Sequence, residues 1–152
     1  MSRVTTRRLT RGDGDHARAM FATMAAAIDE PAEPLSDDQV DRLLCSDSFW
    51  AVAAFSGDRV VGGITAHTIP MTRSPSAELF VYDLAVHGDF RRQGIGRQLV
   101  VTLRAQAAET GITEVFVPAD EDDDEALAFY RSLAGQESPV RIFAWDAAPG
   151  ER

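Results

Sequence analysis

Three groups of residues in this chain have types and spacings suited to chemistry. The first is Arg91-Arg92-Gln93-Gly94-Ile95-Gly96-Arg97, where a strand ending at Val86 turns into a helix. Glycines at 94 and 96 let the backbone approach a ligand closely, and the free N–H groups and dipole of the helix that starts there favour bound phosphate. Arg91, Arg92 and Arg97 add positive charge to an otherwise acidic protein. The second group is Asp120-Glu121-Asp122-Asp123-Asp124-Glu125, six acids in succession. Acids at a helix start complement its dipole by about 0.3–1 kcal/mol each. Six exceed what capping needs, and a cationic ligand would relieve their mutual repulsion. The third group is dispersed: Glu78 and Asp83 on the strand before the glycine turn, Asp146 near the C-terminus, His67 and the single Cys45.

Several chemistries are excluded or disfavoured. A Walker loop needs Gly-Lys-Ser/Thr, and the chain contains no lysine. A dinucleotide fingerprint wants a third glycine, and position 99 is Leu99. No His/Cys cluster has ligand spacing, so no metal is expected. Cys45 lies far in sequence from the glycine turn and gets no covalent role, and His67 reads as packing or surface. The net charge of −9, from 24 acidic residues against 15 arginines, disfavours nucleic acid and anionic membranes and attracts cationic partners. No apolar run reaches membrane-spanning length and the N-terminus lacks a signal-peptide core, so a cytoplasmic protein is expected. One cysteine, which cannot form an internal disulfide, agrees with that.

The elements that must position these groups follow from periodicity. Residues 3–9 alternate weakly, as an edge strand does. Asp13 and Asp15 offer N-caps for a helix to about Ile28, with Met20, Met24 and Ile28 on one stripe. The prolines of Glu30-Pro31-Ala32-Glu33-Pro34 end it, and Ser36-Asp37-Asp38-Gln39 fits a capping box for a second helix to about Cys45. Phe49–Phe55 and Arg59–Ile69 read as a hairpin around Ser56-Gly57-Asp58, with Gly62-Gly63 marking a bulge or close backbone approach. A strand is expected over Glu78–Val86. Ile95, Leu99, Leu103 and Ala107 give a helix to about Thr110 one buried face, and Gly111 closes it. Ile112–Ala119 is the next strand, parallel to its predecessor because a helix connects them. The acids then start a helix through Ala126, Phe129, Tyr130 and Leu133. Val140–Trp145 reads as a last strand and Ala147–Arg152 as a loose tail, within one domain spanning 1–152.

Arg91-x-x-Gly94-x-Gly96 resembles the acyl-CoA signature of the GCN5-related N-acetyltransferases, Gln/Arg-x-x-Gly-x-Gly/Ala. The resemblance implies an α/β (α+β) fold: a twisted, mixed, mostly antiparallel sheet of six to seven strands with a splayed parallel pair, flanked by about four helices. It implies acetyl-CoA as cofactor, its pyrophosphate held by backbone amides of Arg91, Arg92, Gln93, Gly94, Ile95, Gly96 and Arg97. Backbone groups of Leu84, Ala85 and Val86 would bind pantetheine and polarise the acetyl carbonyl where the strand bulges, just beyond Asp83. In this superfamily the first helix pair borders the acceptor cleft, which makes Asp29, Glu30 and Glu33 potential substrate contacts. A homodimer is common there.

The family's Asn-x-x-Ala-x-x-Phe-Tyr has a counterpart in Asp123-Asp124-Glu125-Ala126-Leu127-Ala128-Phe129-Tyr130. That makes Tyr130 the general acid for the departing thiolate. Asp123 replaces the usual asparagine at a pantetheine contact, and Ala134-Gly135 displaces the glycine that normally follows the helix. Tyr82-Asp83-Leu84-Ala85-Val86, Arg91-Arg92-Gln93-Gly94-Ile95, Ala119-Asp120 and Asp123-Asp124 together are similar to the gentamicin-type aminoglycoside 3-N-acetyltransferases, over about residues 36–133. The resemblance implies direct transfer of acetyl to an aminoglycoside amine, with antibiotic resistance as the outcome. Asp120, Asp83, Asp124 and Glu78 are the base candidates, in that order. Asp83, Asp120, Asp122, Asp123, Asp124 and Asp146 are candidates for binding a polycationic substrate. An acetyltransferase for another small polyamine or a protein amine is one alternative, and a non-catalytic acyl-CoA-binding module is another.

Overall fold

A computed structural model of the chain describes residues 3–148. It divides into two compact units, Met1–Pro118 and Ala119–Arg152, and each is described by itself. The first is a five-stranded sheet in sequence order, β1 (Val4–Arg8), β2 (Phe49–Ser56), β3 (Arg59–Pro70), β4 (Ala77–Val86) and β5 (Ile112–Phe116). Neighbours are antiparallel as far as β4, and β4 pairs with β5 in parallel. The parallel pair is joined through α3 (Ile95–Glu109), as a crossover requires.

Helices α1 (Gly14–Ala27) and α2 (Asp37–Cys45) cover one face of the sheet and α3 the other. On the α3 face Ile95, Leu99, Leu103 and Ala107 pack on Val52, Ile64, Leu79 and Val81, the four helix positions that periodicity selects. Full burial of each large side chain contributes about 1.5–3 kcal/mol. On the opposite face Met20 and Met24 of α1 and Val40 of α2 pack on Ala51, Ala53 and Ala85. The Ser36/Gln39 capping box is present, with Ser36 Oγ accepting from Gln39 N–H at 3.2 Å and Gln39 Oε1 from Ser36 N–H at 2.9 Å. Asp13 stands at the N-cap of α1 without capping through its side chain; its carboxylate accepts instead from Thr10 N–H and Arg7.

Gly63 lets α1 reach the sheet: a Cβ there would lie 2.5 Å from Met20 Cε. Gly62 serves β4, because its Cβ would fall 2.9 Å from Ala85 O and 3.1 Å from Val86 Cα. Beside it the β2–β3 register shifts between Ala54 and Phe55, leaving Val61 as the extra residue. Both meanings of the glycine pair, bulge and close approach, are realised.

The second unit contains α4 (Asp124–Ser132). Asp123 caps it, its Oδ1 accepting from Ala126 N–H at 3.0 Å. At the other end Ala134 takes the left-handed conformation (φ 62), with Ala134 N–H donating to Arg131 O and Gly135 N–H to Tyr130 O. That is a Schellman cap with alanine where glycine is usual.

The sheet differs from expectation in strand number, with five strands among the described residues in place of six to seven. Val140–Trp145 forms no strand there, and Val140, Ile142, Phe143 and Trp145 are exposed. A strand exists only where a neighbour takes its N–H and C=O groups, and apolar, β-branched composition does not supply that neighbour. β5 also ends at Phe116, short of Ala119. The tail expected at Ala147–Arg152 lies outside the described residues from Pro149 onward. Among the described residues no helix is long and apolar enough to cross a membrane.

Candidate active site

Two strands that separate create the first half of the site. β4 and β5 pair from Ala77 to Phe80, and β4 then runs on to Val86 without that neighbour. His87 N–H donates to Val61 O at 2.8 Å. Bonding direction alternates along an antiparallel ladder, so with Gly62 opposite Val86 and Ile64 opposite Leu84, the backbone groups of Val86 and Leu84 point away from β3. They face the side where β5 has ended. Gly62 and Val86 form a non-hydrogen-bonded pair, the closer kind, which is why a side chain at 62 has no room.

The chain next makes a 3-10 turn at Gly88–Phe90 and enters the basic loop. Arg92 (φ 62) and Gly94 (φ 77) both take left-handed backbone. A non-glycine residue there stores strain of about 1–3 kcal/mol. Left-handed residues before a helix turn successive N–H groups inward as an anion nest, and the first-turn N–H groups of Ile95, Gly96 and Arg97 have no intrahelical acceptor. These residues fit a diphosphate. Arg91 has a further role: its Nη2 donates to Ala27 O, the last carbonyl of α1, at 3.0 Å.

The second half is a cleft of about 660 Å³ between α1, the segment after it, α2 and the sheet. Phe21, Met24, Ile28, Leu35, Leu43 and Phe49 give it apolar walls, and Glu30, Thr65, His67, Tyr82 and Asp83 supply its polar groups. A bulge aims Asp83. Val81 is opposite Ala66 and Asp83 opposite Thr65, which leaves Tyr82 as an extra residue in β4. Strict alternation would put Leu79, Val81, Asp83 and Ala85 on one face; instead Leu79 and Val81 pack toward α3, and Ala85 packs toward α1. The bulge thus precedes Asp83, where it was expected beyond it, and it turns Asp83 into the cleft.

Glu30 is placed by the end of α1. Asp29 takes left-handed backbone (φ 55), and Glu30 N–H donates back to Ala25 O at 3.0 Å. Arg18 tethers the rest of the segment, donating to Leu35 O at 3.1 Å and pairing with Asp37. Asp83 keeps much of its surface open to the cleft, yet partial burial first, and then the negative charge of Glu30, raise its carboxyl above the ordinary aspartate range. His67 lies between Phe49 and Tyr82, with ring centroids 5.4 and 6.0 Å away, so it is a wall residue.

Of the predicted residues, Leu84, Val86 and the 91–97 loop form the first half and Asp83 the second, while Ala85, opposite Gly63, turns its backbone groups to β3. Glu78 does not line the cleft. It stands opposite Glu114 on β5, and its carboxyl is raised by a hydrogen bond with Glu114. Tyr130, Asp120, Asp122, Asp123, Asp124 and Asp146 all belong to the second unit. There Asp123 and Asp124 occupy the cap and first turn of α4, and Tyr130 lies in its last turns beside Phe129. Thr65 is the polar group that sequence reasoning missed, since a threonine inside a β-branched run carries no mark of function.

Known proteins share both the motif and the fold. The model of the acetyltransferase (GNAT) family matches residues 17–135. The chain is 32% identical over 140 residues to the N-alpha-acetyltransferase RimI of Mycobacterium tuberculosis, covering 91% of this chain and 82% of that protein. A ribosomal protein bS18 alanine N-acetyltransferase of Salmonella typhimurium is 29% identical over 73 residues, 48% of this chain and 49% of that one. Among solved structures, an aminoglycoside acetyltransferase, meta-AAC0020, from an uncultured soil metagenomic sample in complex with sisomicin superposes with a TM-score of 0.91 at 28% identity. That match covers 95% of this chain and 97% of the other. The family match runs from α1 through the glycine turn to α4: this chain belongs to the GNAT acetyltransferases and is an acetyl-CoA-dependent N-acetyltransferase.

Proposed function

We propose that the enzyme acetylates an aminoglycoside, at the 3-amino group, by direct attack of the amine within a ternary complex. The observation that carries this reading is the cleft, which two carboxylates, Asp83 and Glu30, line together with apolar walls in a chain of net charge −9. An aminoglycoside combines several ammonium groups with apolar ring faces, and such a cleft complements both. The sisomicin-bound relative supports it.

Bound acetyl-CoA supplies an acetyl group activated as a thioester. N–H groups of residues 92–97 hold its diphosphate and backbone groups of Leu84 and Val86 its pantetheine arm. Asp83 Oδ takes the proton from the substrate ammonium, for which its raised carboxyl suits it. Val86 N–H donates to the carbonyl oxygen as negative charge builds there. Tyr130 gives its hydroxyl proton to the departing sulfur. The resemblance also offers Asp120 and Asp124 as base candidates and Asp122, Asp123 and Asp146 as holders of further ammonium groups, whereas Glu78 stands outside the cleft.

A second reading, acetylation of a protein amino terminus, is favoured by the similarity to RimI over 91% of the chain. Free-thiol release from acetyl-CoA with gentamicin, kanamycin, spermidine and a short peptide separates them. Rapid release with the aminoglycosides, followed by NMR location of the acetyl group at the 3-amino position, is the expected result. Release with the peptide alone would overturn the aminoglycoside reading in favour of the second.

A further inference from the structure

One side chain in the cleft is polar, buried and unused. Thr65 is 7% exposed, the one polar residue in the buried core among the described residues. No hydrogen bond within those residues takes up its hydroxyl, which lines the cleft directly across the ladder from Asp83. The hydroxyl opens onto the cleft, since the one fully buried side-chain N or O atom without a partner among the described residues is Gln106 Oε1, and the Thr65 hydroxyl is placed to bond the N–H or O–H groups of a ligand that enters. Asp83 lies beside it and Glu30 stands at the exposed mouth, its backbone pinned by the bond to Ala25 O. The remaining titratable groups that line the cleft, on the same sheet as Asp83, are His67 and Tyr82.

A ligand with a single charge compensates one carboxylate and leaves the other repelling it across a partly apolar space. A ligand with two ammonium groups compensates both. We propose that Thr65, Asp83 and Glu30 form an acceptor subsite that selects amines bearing a second ammonium group, with Asp83 and Thr65 on the reacting nitrogen and Glu30 on the second. This rests on the reading of the cleft as the acceptor site and narrows it to diamine units. A peptide amino terminus, with one charge, is the acceptor it discriminates against.

Calorimetric titration of the CoA-loaded enzyme with putrescine and with butylamine, of equal length and unequal charge, tests the proposal. Wild type is expected to bind putrescine tighter by about tenfold or more, and Glu30→Gln to abolish that preference by weakening putrescine alone. Thr65→Val, which keeps a β-branched side chain of nearly the same shape in β3, is expected to weaken both amines alike. In thiol-release kinetics with gentamicin, Glu30→Gln should raise KM more than it lowers kcat. Equal binding of the two amines, no binding of putrescine, or a preference that survives in Glu30→Gln would overturn the diamine subsite. Each of those results with gentamicin still acetylated would leave the aminoglycoside reading standing, whereas turnover of the peptide alone would remove both.

Discussion

Asp83 owes its direction to the residue before it. Without the extra residue at Tyr82 the alternation of β4 would carry Asp83 toward α3. In the cleft, burial and the charge of Glu30 both disfavour its anion. Only the anion can take a proton, so activity is lost as pH falls through a carboxyl pKa that lies above the ordinary aspartate range. The acid limb of the kcat/KM profile is therefore expected above that range. Glu30→Gln removes the negative charge and leaves the burial, so it should move the limb to lower pH; a limb that stays put or moves upward would exclude Asp83 as the base that Glu30 tunes. At this scale the sequence was half legible. Asp83 could be named because an acid next to a CoA motif attracts notice, and Glu30 because the resemblance sets the first helix pair beside the acceptor cleft. The bulge that aims one and the left-handed cap that fixes the other depend on Tyr82 and Asp29, whose types do not announce those conformations.

The elements were more legible, because periodicity reports burial. The α3 stripe at 95, 99, 103 and 107, the Ser36/Gln39 box and the hairpin around Gly57 all stand as read. The last strand failed because its apolar residues have no ladder to join, and pairing is a property of two segments that one cannot reveal. Gly62 shows how closely an element can depend on another's backbone. An added Cβ meets Ala85 O and Val86 Cα, backbone atoms of the strand whose outward groups are assigned to pantetheine. Gly62→Ala should cost about 1–3 kcal/mol of stability by overpacking, and it should weaken acetyl-CoA binding in the protein that still folds. Thermal melts with and without CoA would read both; a destabilised variant that binds CoA as wild type does would show that β4 yields without shifting Val86.

For the whole molecule, the family was readable from the Arg91-x-x-Gly94-x-Gly96 turn together with the stretch from Asp123 to Tyr130, and in the turn Gly94 stands where the backbone is left-handed, a conformation that favours glycine. The same loop reaches further than its ligand. Through the bond from Arg91 to Ala27 O it holds the end of α1, and three residues beyond Ala27 comes Glu30, turned by the left-handed Asp29. A ligand that steadies the loop is therefore expected to steady the mouth of the acceptor cleft, and linkage would make the effect reciprocal, each substrate raising the affinity for the other by one common factor. Arg91→Gln cuts the bar between them. Amine affinity measured with and without CoA should then differ less than in wild type, and a difference of undiminished size would place the coupling elsewhere. An enzyme wired this way holds its acceptor best when the acetyl donor is already seated, so a cationic amine arriving early leaves before it can block the site.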